Sequence, residues 1–297
     1  RDSITKACTM ESGSTGYFRA AISKLLLVLA LIQYPFATPA NELPQEFSAN
    51  YVLQMSGTVL ARATYTLEHT DNGVTMKQST RPVGLLALLK DIKIDVRSDM
   101  IVDEGRLLLV NYDYTHSDND KDRNVRFKIN WQTNHKQELV GKASGTYEGK
   151  HFDITIDNPV WDPLSIQVPI MRDANKNLPP HELGLFMNGE FKRYLFESSG
   201  SETVKYNGTQ LTAVKIAGRE TKRDRAMFVW MLADYHNIPI RIEQWKNGKL
   251  KSTVLLESVT FDEDGQSRTL SLTNKPSSKI NSTVTPWSDR QNFLAGR

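Results

Sequence analysis

Several groupings in this sequence bring together residue types that could hold a metal or activate a nucleophile, and each lacks a required member. Asp118, Asp120 and Asp122 alternate like the first half of a calcium loop, where spaced carboxylates converge on one cation. That loop then needs a glycine and a bidentate glutamate, and Arg123 and Ile129 stand at those places. Lys121 and Arg123 also offset the charge, so the stretch reads as a solvated hairpin tip, and Arg223-Asp224-Arg225 as a charged loop. His181-Glu182 would begin a zinc helix of the His-Glu-x-x-His type, but Leu185 occupies the second histidine position. His69, His116, His135, His151 and His236 form no pair at ligand spacing. Ser198-Ser199-Gly200-Ser201 is a polar turn, and no Gly-x-Ser-x-Gly elbow, phosphate loop or dinucleotide fingerprint occurs. No catalytic residue, metal ligand or cofactor is therefore assigned.

The remaining chemistry is apolar. Trp131, Trp161, Trp230 and Trp245, with Tyr112, Tyr114, Phe191, Tyr194, Phe196 and Phe228, supply aromatic surface for a core or for a cavity inside a curved sheet. The stretch from Trp161 to Ala174 is the best candidate for a helix. Asp162 suits an N-cap and Pro163 a first helical position. Leu164, Val168 and Met171 then share one face, and Arg172 suits the C-terminal end. Pro169 and the alternation of Leu164, Ile166, Val168 and Ile170 argue the other way. A single apolar helix among strands plugs or lines the concave side of a sheet. The candidate cavity-lining residues are Trp161, Leu164, Val168, Met171 and Trp230.

The elements that must position these residues are strands. Val59, Ala61, Ala63, Tyr65 and Leu67 alternate with polar or small residues, and Ile238, Ile240 and Ile242 alternate with Arg241 and Glu243. Asp71-Asn72-Gly73, Glu104-Gly105, Glu148-Gly149, Asn207-Gly208 and Asn247-Gly248 mark turns. Pro82 to Leu89 is a short apolar insert, one helical turn or a loop over a sheet edge. Phe186 to Glu197 reads as one strand. The fold class expected is all-β: a single antiparallel, strongly curved or barrel-like sheet with one short central helix. The β-rich domain is expected over residues 41–262 and a disordered tail over 263–297, with two smaller subdomains meeting near residue 178 as the alternative.

Residues 1–40 read as upstream sequence followed by a secretory signal peptide. Lys24 precedes the apolar run Leu25 to Ile32, and Pro35 to Ala40 offers a break and small residues, with cleavage expected after Ala40 or Ala37. The run is too short for a membrane span, which needs about 20 residues. The one cysteine, Cys8, lies upstream of it, so a mature chain would have no disulfide and no lipid-anchor thiol. An exported chain without cysteines points to the periplasm of a Gram-negative bacterium. Residues 1–40 hold four of the 37 Lys/Arg and two of the 34 Asp/Glu, leaving 33 basic and 32 acidic residues. That balance excludes a nucleic-acid binder, and no polybasic run marks an anionic-lipid site.

Read together, Asp162-Pro163-Leu164-Ser165, then Tyr194-Leu195-Phe196, the Gly208-Thr209 turn, Trp230-Met231-Leu232-Ala233 and Ile238-Pro239-Ile240-Arg241-Ile242-Glu243 resemble a bacterial exported family catalogued as domain of unknown function 3108 (DUF3108). Tyr112-x-Tyr114 leading to Phe127-x-x-x-Trp131 fits the same pattern. The resemblance covers roughly Phe47 to Phe261. Leu164-Ser165-Ile166 replaces the usual Leu-Ser-Leu, and Pro169 is a departure. The resemblance implies an envelope location and a β-rich fold, and carries no catalytic residues to transfer. The function expected is non-enzymatic binding of an apolar or amphipathic envelope molecule, a lipid or lipid-linked glycan, in the sheet's concavity. The alternatives are a scaffold that binds an envelope protein and a hydrolase with carboxylates drawn from distant strands.

Overall fold

The computed structural model describes residues 43–119, 122–176, 179–187, 189–206, 208–263 and 266–272. The expected signal peptide over 1–40 lies outside the described residues.

Outside the central stretch around Leu164 to Ile170, period-two alternation becomes strand. β1 (Phe47–Met55), β2 (Thr58–Thr70), β3 (Gly73–Pro82), β4 (Lys93–Asp103), β5 (Arg106–Ser117), β6 (Arg123–Thr133), β7 (Leu139–Tyr147) and β8 (Lys150–Ile156) run up and down, each antiparallel to the next. In β2, Ala61, Ala63, Tyr65 and Leu67 are buried while Arg62 and Thr64 are exposed, so one face meets the core. After β9 (Val160–Trp161), a second series follows: β10 (His181–Met187), β11 (Glu190–Tyr206), β12 (Thr209–Glu220), β13 (Arg225–Leu232), β14 (Ile238–Lys246), β15 (Lys249–Glu263) and β16 (Gln266–Ser271). β1 pairs with both β2 and β15, placing Phe47 opposite Leu67 and Phe261, so the two series form one sheet of sixteen strands.

The sheet curls until its edges face each other, giving a nearly closed barrel. No ladder joins β8 to β10. Aromatic side chains bridge part of this seam: Phe186 of β10 stacks on Phe152 of β8 at 5.6 Å and lies 4.7 Å from Phe127 of β6. Glu104-Gly105, Glu148-Gly149 and Asn247-Gly248 all adopt positive φ at both residues, the backbone that two-residue hairpins require.

Three expectations change. Phe186 to Glu197 is not one strand but parts of β10 and β11, turning at Gly189 (φ 83°). The tail does not begin at 263: β16 pairs with β15 and Leu272 is buried, while residues 273–297 lie outside the described residues. A second helix accompanies the central one. It is α1 (Leu85–Leu89), within the apolar insert between β3 and β4.

The central helix, α2 (Gln167–Asp173), begins later than Pro163. Pro163 to Ile166 form a preceding turn locked to Asp162. The N–H groups of Leu164 and Ser165 donate to Asp162 Oδ1 at 2.7 and 3.0 Å, and Asp162 N–H donates to Ser165 Oγ at 3.0 Å. This reciprocal arrangement is a capping box. Pro169 is the third residue of α2, where an N–H would be one of the helix's four orphan donors, and Val168 N–H already uses Ser165 O at 3.0 Å. Its usual penalty is thereby small. The helix is not amphipathic in place: Gln167, Val168, Pro169, Ile170 and Met171 are all buried, so it plugs the barrel rather than covering one side.

Candidate ligand cavity at the barrel seam

Where the aromatic bridge ends, the seam opens into a cavity of about 730 Å³. The last residues of β8, the β9 segment, α2, the first half of β10 and the first half of β11 surround it, together with the Gly105-Arg106 turn. Its inner wall includes Leu107, Ile156, Trp161, Phe196 and Ile216, all buried. Its rim includes Arg106, Asp157, His181, Glu182 and Arg193. The volume falls within the roughly 300–1,000 Å³ of small-molecule sites. Two glycines shape the walls. A Cβ on Gly184 would sit 2.7 Å from Val160 Cγ1, so only glycine lets β9 lie against β10. A Cβ on Gly218 would meet the Phe196 ring at 2.6 Å.

The rim charges are largely paired. Arg193 meets Glu182 at 3.2 Å, Arg219 meets Glu197 at 2.7 Å, and Asp173 receives both Arg172 and Lys176 at 2.8 Å. Burial alone would raise the Asp173 carboxyl, but these two cations hold it below its usual range. Two donors stand apart. Trp161 Nε1 and Arg106 Nε, both on cavity-lining residues, are buried and have no acceptor among the described residues. The terminal nitrogen of Arg106 is already engaged by Glu104 at 2.8 Å.

Of the residues singled out from sequence, Trp161 lines this cavity. Leu164, Val168 and Met171 are buried in the core around the plug and line neither this cavity nor a second one of about 80 Å³ on the Gln167 side of α2. Trp230 is elsewhere. Beyond the irregularity at Ser198–Ser201, the β11–β12 hairpin folds across the sheet, Trp230 donates to Glu202, and Tyr206 donates to Leu256 O of β15. Lys215 and Arg241 flank the Trp230 ring at 4.8 and 4.9 Å. Ile154 and Leu183 are not among the residues singled out from sequence, while Phe191 and Phe196, expected to supply aromatic surface for a core or a cavity, do line this one; all four reach it because the seam brings β8 against β10 and β11. The apolar alternation of Ile154 and Ile156 on an edge strand was the available signal.

Asp162, next to Trp161, is fully buried. Burial raises its carboxyl above the usual range, and hydrogen bonds from Ser165 and Leu164 only partly oppose this. Ser98 of β4 lies beside it and acts in the same opposing sense, yet neither Ser98 Oγ nor Asp162 Oδ2 closes a hydrogen bond of ordinary geometry. The neighbouring Asp162 carboxylate adds to burial in raising the Tyr112 phenol.

A family model described as "Protein of unknown function (DUF3108)" matches residues 47–254. The chain belongs to the DUF3108 family. The match runs from β1 into β15, so both walls of the cavity fall inside the DUF3108 domain and β16 falls outside it. Two solved structures are similar to this DUF3108 chain. A beta-barrel-like protein of domain of unknown function DUF1849 from Brucella abortus is 11% identical, with a TM-score of 0.49 over 74% of this chain and 99% of that one. A candidate lipoprotein from Parabacteroides distasonis is 13% identical, with a TM-score of 0.29 over 72% of this chain and 95% of that one. No curated protein matches. Among the described residues no helix is long and apolar enough to cross a membrane.

Proposed function

We propose that this DUF3108 protein is an exported, periplasmic protein that binds an apolar or amphipathic envelope molecule, a lipid or a lipid-linked glycan, without transforming it. The observation that carries the reading is the seam cavity, with its apolar inner wall and ion-paired rim. Apolar surface buried there drives binding, at about 25 cal/mol per Å² removed from water.

The test is native mass spectrometry of the protein purified from a periplasmic fraction, alongside Leu183→Trp, which places a larger side chain on the cavity wall. The expected result is a chain starting near Asn41 that carries an added mass released by organic solvent. Leu183→Trp should fold normally and lack that mass. An equal adduct on both proteins, or none on either, would overturn the reading.

A further inference from the structure

The exposed large hydrophobic side chains among the described residues are Met55, Leu85, Leu88, Leu89 and Leu250. All five lie at one end of the barrel, Met55 and Leu250 on the paired strands β1 and β15 and the three leucines on the insert between β3 and β4. α1 carries the three leucines, at 78, 82 and 74% exposure, and Val83 N–H ties its approach to Leu60 O of β2 at 2.9 Å. Met55 ends β1, opposite Thr58 of β2. Leu250 begins β15, which pairs with β1 through Thr253 and Gln54. Isolated exposed leucines are ordinary; five grouped along one rim mark an interaction surface.

The charge beside this rim says what covers it. Arg225, Lys246 and Lys249 stand directly opposite one another across β13, β14 and β15. Like charges in directly opposed positions repel, so this row is unfavourable until an anion meets it. Exposed Lys222, Arg223 and Lys251 extend it, and Asn247 N–H to Asp224 O at 2.9 Å holds the two hairpins side by side. Lys246, Lys249 and Lys251 make no ion pair among the described residues, while Arg223 and Arg225 reach Glu220 at 3.8 Å. The sequence shows no polybasic run because the fold assembles this patch from separate hairpins.

We propose that this end of the barrel docks on an anionic lipid surface, with the α1 leucines entering the interface and the β12–β13 and β14–β15 hairpins on the headgroups. The Gly105-Arg106 turn and the start of β10, at the other end of the strands, line the cavity, which reaches towards the docking end only at Arg193, beside Thr221 of the β12–β13 hairpin.

The experiment is co-sedimentation of the chain from Asn41 onward, which holds every described strand, with phosphatidylcholine vesicles with and without phosphatidylglycerol. Binding should require phosphatidylglycerol and fall as salt rises. Leu85→Ser/Leu88→Ser/Leu89→Ser and Lys246→Glu/Lys249→Glu should each weaken it by about tenfold or more while leaving the circular dichroism spectrum unchanged. Leu183→Trp should bind vesicles like the unmodified protein. Failure to bind, equal binding to both vesicle types, or unchanged binding by the leucine variant would each overturn the proposal. So would self-association in ultracentrifugation that the leucine variant abolishes without any vesicle binding, since a second copy would then be the occupant.

Discussion

Helix α1, Leu85-Leu86-Ala87-Leu88-Leu89, is wholly apolar and helix α2 carries Gln167, Arg172 and Asp173 beside its apolar residues, yet Leu88 of α1 is 82% exposed and Val168 of α2 is fully buried. The difference lies in what each helix connects. α1 joins β3 to β4, adjacent antiparallel strands whose ends lie side by side, so the insert projects from the barrel end. α2 lies between β9 and β10, in the crossover from the last strand of one series to the first of the other, and the chain must pass the barrel's interior to get there. Local capping agrees. Asp162 and Ser165 lock the turn before α2, whereas α1 follows Gly84 with no side-chain cap. Apolarity supplies the driving force for burial, and the connection decides whether there is anything to be buried against.

The largest expected effect comes from truncating one leucine in each helical segment. Leu164, in the capped turn before α2, is 2% exposed. Leu164→Ala loses packing and leaves a cavity, costing about 2–5 kcal/mol. Leu88→Ala should stay within about 0.5 kcal/mol of the unmodified protein. Urea unfolding midpoints of the two variants measure the contrast directly. Similar midpoints would mean that α2 is not the plug described here.

A smaller effect should follow from removing the cap. Asp162→Ala should cost about 1 kcal/mol, as N-cap losses typically do. Asp162→Asn keeps an acceptor oxygen and removes a buried charge, so it should cost less. Its pH dependence has a definite sign. Burial raises the folded-state carboxyl, so the folded protein holds the proton more tightly than the unfolded chain. Stability should therefore fall as pH rises from the ordinary carboxylate range through the raised folded value. Asp162→Asn should flatten that part of the profile. Asp173 has the opposite sign: burial opposes ionisation, but Arg172 and Lys176 hold its carboxyl low. Its contribution is present above the ordinary carboxylate range and is lost as pH falls through the lowered value. Asp173→Asn should cost about 1 kcal/mol or less at neutral pH, given its partial exposure. Stability profiles of the three proteins against pH would separate the two carboxylates.

Leu85→Ser/Leu88→Ser/Leu89→Ser should change the unfolding midpoint least, while changing vesicle binding most. A clear loss of stability in that variant would show α1 packed against the barrel and remove the contrast with α2.

The strands and their turns were legible because both signals are local. Ala61 to Leu67 alternate within one strand, and Asn247-Gly248 fixes its own hairpin. The family was legible from Asp162-Pro163-Leu164-Ser165 and the ordered motifs after it. The cavity was not. Its walls come from residues as distant as Arg106, Ile156 and Phe196, joined by a seam with no backbone ladder, and no period in the sequence encodes a gap between strands. Trp161 was found because it abuts the capped turn. Trp230 was placed among cavity candidates because it is a large aromatic in an apolar strand, but the fold of the β11–β12 hairpin across the sheet sets it under Glu202, Lys215 and Arg241. The start of α2 lies one turn later than expected because the turn that Asp162 caps, Pro163 to Ile166, precedes the regular helix. β16 was hidden by polar composition: Gln266 to Ser271 pairs through its backbone and offers almost no apolar face.

The central claim, that an apolar ligand enters the seam cavity, is tested most directly by fluorescence quenching with a brominated fatty acid added as monomer. Trp161 lines the cavity, while Trp230 lies beneath the β11–β12 hairpin. The expected result is saturable quenching that Trp161→Phe largely abolishes and Leu183→Trp displaces to higher ligand concentration. Quenching of equal depth in the protein and in Trp161→Phe would contradict it.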